Sequence, residues 1–142
     1  MTAAPRILLD TCALIWLAEG KLSSEAVDML VHAGLSEGVF VSAVNAWEIG
    51  MLAAPRGNRP KLEFHPDPQS WLERILGRPE IRSAPLTPAT ALAASFLPGD
   101  PHGDPADRLL IATAREMDAA LMTADRNILA YGRLGHVRTL SC

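Results

Sequence analysis

The chain has 142 residues, of which 49% are hydrophobic and 20% charged, with a formal net charge of −3. That length fits one domain with a substantial core and leaves little for a second, and the composition excludes a disordered chain. No apolar run approaches the roughly 20 residues of a membrane span, and the weak negative charge gives no whole-molecule attraction for a polyanion, local basic patches aside.

Met1 to Pro5 carries no basic n-region, apolar h-region or cleavage site, so secretion is not indicated. Cys12 and Cys142 are the only cysteines and belong to no Cys-x-x-Cys or Cys/His pattern. That usage fits a reducing cytoplasm and argues against zinc.

The first element predicted is a strand at Ile7 to Leu9, ending on Asp10. A helix through Ala13 to Ala18 follows, apolar almost all round and therefore expected to be buried, with its end near Gly20. Ser24 to about Ala33 reads as a second helix stopped at Gly34, and Val39 to Val41 as the next strand. Ser42 is placed to cap a helix reaching Ala53, in which Glu48 shares helical spacing with Val44, Trp47, Met51 and Leu52 and so points toward the protein.

Ala54 to Lys61 reads as a loop rich in turn residues. Pro66-Asp67-Pro68 starts a helix whose Trp71, Leu72, Ile75 and Leu76 share one face. A weaker strand is expected at Ile81 to Ala84, then a Thr87-Pro88 helix start with Leu92, Ala93 and Phe96 packing inward, then a loop from Leu97 to Gly103. Asp104 and Pro105 form a second cap-plus-proline signal ahead of Asp107, Leu110 and Ile111. Strands at Ala120 to Thr123 and Val137 to Leu140 complete the pattern, with Asp125 starting a turn after the first. Short strands alternating with helices predict an α/β parallel sheet, whose crevice lies beyond the C-terminal strand ends, where Asp10 and Asp125 stand.

Asp10, Glu48, Asp107 and Asp125 thus occupy positions facing apolar neighbours, where an ionised carboxylate is costly without a compensating charge or hydrogen bond. Each has an ordinary reading alone: a helix cap for Asp10, a buried arginine pair for Glu48, a helix dipole for Asp107, a turn for Asp125. Together they ask for positive partners, and the nearby sequence offers only Arg108 and Arg126, each directly after an acid. One or two divalent ions answer all four, and oxygen-only ligation selects Mg²⁺ or Mn²⁺.

Ile7-Leu8-Leu9-Asp10-Thr11, Trp47-Glu48-Ile49-Gly50, the segment His102 to Ala112 and Leu121-Met122-Thr123-Ala124-Asp125 resemble, in order and spacing, the PIN domain. The His-x-Asp-Pro-x-Asp-Arg-Leu-Leu-Ile-Ala run followed by Thr-x-Asp is similar to the VapC-type toxins of bacterial and archaeal type II toxin–antitoxin pairs. The resemblance covers essentially the whole chain as a single domain. It implies a five-stranded parallel sheet flanked by helices, a Mg²⁺- or Mn²⁺-dependent endoribonuclease, a homodimer, and inhibition by a small antitoxin that inserts a segment near the acidic pocket. Carried over, Asp10, Glu48, Asp107 and Asp125 form the acidic quartet with Asp10 most central, and the Thr123 hydroxyl orients the pocket. The implied reaction is hydrolysis of an RNA phosphodiester by a metal-activated water.

The remaining polar residues keep two readings each. Asp104 is a helix cap or holds a metal water, Arg108 pairs with Asp104 or contacts phosphate, and Thr11 starts a helix or hydrogen-bonds behind the ligands. His102 is an exposed loop residue, a proton donor or an RNA contact; Arg56, Arg59 and Lys61 hold the RNA backbone or form a solvated loop. Cys12, Trp16, Trp47 and Trp71 read as core, with a dimer or antitoxin surface as the alternative for Trp71.

Other acidic-pocket folds fit less well. A haloacid-dehalogenase-like phosphatase needs an acid where Cys12 stands, and a receiver domain needs a lysine near its last strand, whereas Lys21 and Lys61 are the only lysines. A non-catalytic PIN module for binding RNA or protein, and an RNA-processing nuclease without an antitoxin, stand as the alternatives.

Overall fold

The computed structural model describes residues 4–54, 56–101 and 103–142. Pro55 and His102, which the sequence places in its two loops, lie outside the described residues, and so does the reading of His102 as a proton donor or RNA contact.

Five strands, β1 (Ile7–Leu9), β2 (Val39–Ser42), β3 (Ile81–Ala84), β4 (Ala120–Thr123) and β5 (Arg138–Ser141), form one sheet in the order β3-β2-β1-β4-β5. Every pairing is parallel. All five segments therefore appear where the sequence predicts, within a residue at each end. Among the described residues no helix is long and apolar enough to cross a membrane.

The central strands β1 and β4 are buried along their whole lengths, which explains their continuous apolar runs. Side chains alternate across the sheet. Leu8, Phe40 and Leu121 pack on one face with Leu110, Ile111, Ile128 and Tyr131; Ile7, Leu9, Val39, Val41 and Met122 pack on the other with Ala13, Leu14, Leu30 and Ile75. The second layer is built by α1 (Thr11–Glu19), α2 (Ser24–Gly34) and α4 (Pro68–Leu76). The first belongs to α6 (Pro105–Met117) and α7 (Arg126–Arg133), with contributions from Val44 of α3 (Ala43–Ala53) and from Ala94, after α5 (Pro88–Ala93). Right-handed crossovers produce this division, because the chain steps one way from β1 to β3 and the other way from β4 to β5.

Local chemistry sets the helix starts. Ser42, Asp67, Thr87 and Asp104 each cap the following helix, three of them with proline in its first turn. After Asp125 the sequence reading stops at a turn, but the chain continues into α7, held to the sheet by Ile128 and Tyr131 at i and i+3.

Several expected core positions are on the surface. Trp47 is 53% exposed, Leu92 66% and Phe96 77%. Beyond Leu14, the helix predicted to be buried is only half covered, as are Trp16 and Trp71. Helical spacing tells which residues share a face, and an apolar stripe wider than the packed contact spills onto the surface.

Candidate active site

The sheet's topological switch lies between β1 and β4, where one connection leaves leftward and the other rightward and their helices diverge. Asp10 and Asp125 directly follow these two strands, Glu48 enters from α3, and Asp107 from the first turn of α6. These four acids line one cleft of about 300 Å³ together with Thr11, Cys12, Leu110 and Ala124.

Asp10 is the most buried of them, 6% exposed. It caps α1, its Oδ1 accepting from Ala13 N at 2.7 Å, and its Oδ2 accepts the Thr123 hydroxyl. Burial pushes its carboxyl above the ordinary carboxylate range, the bonds from Thr123 and Ala13 pull it back, and Asp125 adds to the rise. Asp125 caps α7, with Oδ1 accepting from Asn127 N at 2.8 Å and Ile128 N at 3.0 Å. The cap read for Asp10 is real, Asp125 caps a helix where the sequence suggested a turn, and both roles coexist with a place in the cleft because each carboxylate has four lone-pair sites.

Among the described residues Glu48 forms no ion pair with an arginine. Its Oε1 accepts the Thr11 hydroxyl at 2.5 Å. Burial raises its pKa, Thr11 lowers it, and Asp104 and Asp10 raise it further. Asp107 is pushed up to about 7, first by burial, then by the charges of Asp104, Asp125, Glu48 and Asp10. Each acid thus makes its neighbour's charge costlier. Among the described residues none of the four takes part in an ion pair.

The residues placed around the quartet separate into those at the cleft and those away from it. Thr11 and Thr123 are buried and bonded to the acids. Asp104 is exposed and caps α6, accepting from Asp107 N at 3.1 Å. Arg108 pairs elsewhere than with Asp104: Nε donates to Ala94 O at 2.9 Å, and Nη1 donates to Pro101 O at 2.6 Å and reaches Asp100 at 3.4 Å. It staples the loop before α6. Arg56 and Arg59 bridge across a tight turn at Gly57, Arg59 donates to Met51 O at 2.8 Å, and Lys61 lies 4.0 Å from Glu63. None of these three basic residues lines the cleft.

Sequence reasoning passes over Asn45, which is fully buried and bonded to Ser42 N, Leu9 O and Thr11 Oγ1. Its signal was the capping-box position three residues after Ser42.

The donor set suits a hard cation: all oxygen, negatively charged and, among the described lining residues, without a basic side chain. Among the described residues no three Asp, Glu, His or Cys side chains converge to enclose an ion directly.

Comparison with known proteins gives one consistent result. Residues 7–134 match the PIN domain family. Ribonuclease VapC22 of Mycobacterium tuberculosis (strain ATCC 25618 / H37Rv) is 33% identical over 127 residues, covering 88% of this chain and 91% of that protein. Among solved structures, VapBC2 from Rickettsia felis bound to a DNA fragment from its promoter superposes with a TM-score of 0.67 at 13% identity, covering 96% of this chain and 98% of that one. DNA-bound VapBC from Salmonella typhimurium gives 0.62 at 16% identity over the same shares, 96% and 98%. At these identities the structures speak to the fold.

Proposed function

Because the chain belongs to the PIN domain family, on its VapC branch, we propose that it is a divalent-metal-dependent endoribonuclease acting as the toxin of a toxin–antitoxin pair. The observation that carries this reading is the gathering of Asp10, Glu48, Asp107 and Asp125 on one cleft with no basic side chain among its lining residues.

A bound Mg²⁺ or Mn²⁺ supplies an acidified water and stabilises charge on the phosphate oxygens. The protein's own part is to hold the carboxylates ready. Asp10 is fixed by a backbone N–H and a hydroxyl, one on each oxygen, and keeps further lone pairs for the cation's waters. Glu48 is fixed through Oε1 and lines the cleft. Asp107, half-protonated near neutrality without an ion, becomes a full carboxylate when a cation neutralises the cluster.

A covalent nucleophile is not required. Burial and the charges of Asp10 and Glu19 push the Cys12 thiol up, so it is not a thiolate at neutral pH, and the Thr11 proton is committed to Glu48.

RNA is the substrate, and Arg56 and Lys61, on the exposed hairpin that Arg59 anchors to α3, track its backbone. The inhibitor is a small antitoxin. The working form is a homodimer, with Leu92 and Phe96, one helical turn apart and exposed, in the covered surface. Induction in a bacterial host tests the reading: the wild type arrests growth with RNA fragmentation, and Asp10→Asn does not. Arrest by both variants would contradict it.

A further inference from the structure

The direction of the hydrogen bonds behind Glu48 is fixed by groups that can act in only one sense. Ser42 N–H can only donate, so the atom of Asn45 that faces it at 2.8 Å is Oδ1. Nδ2 therefore faces Leu9 O at 3.2 Å and Thr11 Oγ1 at 3.1 Å, one amide proton for each. With a lone pair of Thr11 filled by Asn45, the single hydroxyl proton is left for Glu48 Oε1, 2.5 Å away.

Capping α3 needs only an acceptor at this position, which a glutamate or glutamine supplies equally well. The two amide donors are surplus to that task. Both are spent across the fold, one on the carbonyl that leads into Asp10 and one on the hydroxyl that holds Glu48. Asn45 is fully buried, and among the described residues no buried side-chain polar atom lacks a partner. A buried amide with every donor used is a costly element to place where an acceptor would do.

We propose that Asn45 is a positioning residue of the acidic cleft: through Thr11 it sets the polarity of a relay that keeps Glu48 a hydrogen-bond acceptor and holds its carboxylate in place on the cleft. This rests on the reading of the cleft as a divalent-metal site.

The test is calorimetric titration of the metal-free protein with Mn²⁺, with urea denaturation of each variant alongside. Asn45→Asp retains an acceptor for Ser42 N–H but replaces the donor toward Thr11. It should bind Mn²⁺ about tenfold more weakly than the wild type, although an added carboxyl would by charge alone strengthen binding. Thr11→Val should lose about as much, Thr11→Ser should bind like the wild type, and the double variant Asn45→Asp/Thr11→Val should be no weaker than either single one. A merely structural role predicts lower stability with unchanged affinity, and that result overturns the inference. So do losses that multiply in the double variant. If Asn45→Asp does not fold, the contrast between Thr11→Val and Thr11→Ser decides: equal affinities overturn the relay. A wild type that binds no Mn²⁺ overturns the metal site itself, and the relay with it.

Discussion

The Thr123 hydroxyl donates its only proton to Asp10 Oδ2 and accepts the backbone N–H of Asp125 at 2.9 Å. One hydroxyl therefore ties together the acids that end β1 and β4. Thr123→Val should leave Asp10 Oδ2 without its donor, push the carboxyl further above the ordinary range and orphan the Asp125 amide. RNA cleavage should fall about 10–100-fold, and urea melts should show a loss of about 1–3 kcal/mol. Thr123→Ser should retain most of both.

Asp107 sets a pH dependence of stability. Its folded pKa lies near 7 against an ordinary value of 3.8. Between these values the native state holds a proton that the unfolded state has lost, so stability falls as pH rises. The penalty is absent below about pH 4 and complete above the folded value. Thermal melts of metal-free protein should therefore show Asp107→Asn more stable than the wild type at pH 8, with the gain gone at pH 4. Saturating Mg²⁺ should remove most of the wild-type deficit at pH 8 by binding the native state. No difference between the two proteins at pH 8 would count against the strained cluster.

Arg108 bears on stability more than on phosphate. Its guanidinium joins Ala94 O and Pro101 O, holding the loop that leads into α6. Arg108→Ala should cost about 1–3 kcal/mol in urea unfolding by leaving those carbonyls without partners. Any activity loss should track the folded fraction. A stable variant with selectively raised KM for RNA would instead place Arg108 on the substrate.

Much of the fold is legible in the sequence because its signals are local. The continuous apolar runs of β1 and β4 correspond to strands buried on both faces, and Ser42, Thr87-Pro88 and Asp104-Pro105 mark helix starts that need only their own neighbours. The gathering of the acids is legible too, since Asp10 and Asp125 end adjacent parallel strands. What fails is whatever depends on the third dimension. Helical spacing groups Leu92 with Phe96 but does not say that nothing covers them. The i,i+4 rule offers Arg108 a partner in Asp104, yet carbonyls 14 and 7 residues upstream claim it. Asn45 escapes notice because its decisive contacts lie 34 and 36 residues away.

The exposed pair Leu92 and Phe96 gives the proposed dimer a direct test. Phe96→Glu places a charge in the proposed contact and should convert a dimer to a monomer in light scattering, with the thermal midpoint of the monomer little changed because the side chain is 77% exposed within the chain. A dimer that survives would move the contact elsewhere.

The central claim is tested most directly by incubating purified, partner-free protein with total small RNA in Mg²⁺ or Mn²⁺, beside EDTA and Asp10→Asn controls. Discrete fragments that appear with either ion and vanish in both controls are the predicted result. Mn²⁺ binding without cleavage of any RNA, or cuts that persist in Asp10→Asn, would contradict the account and leave a binding module built on the nuclease fold.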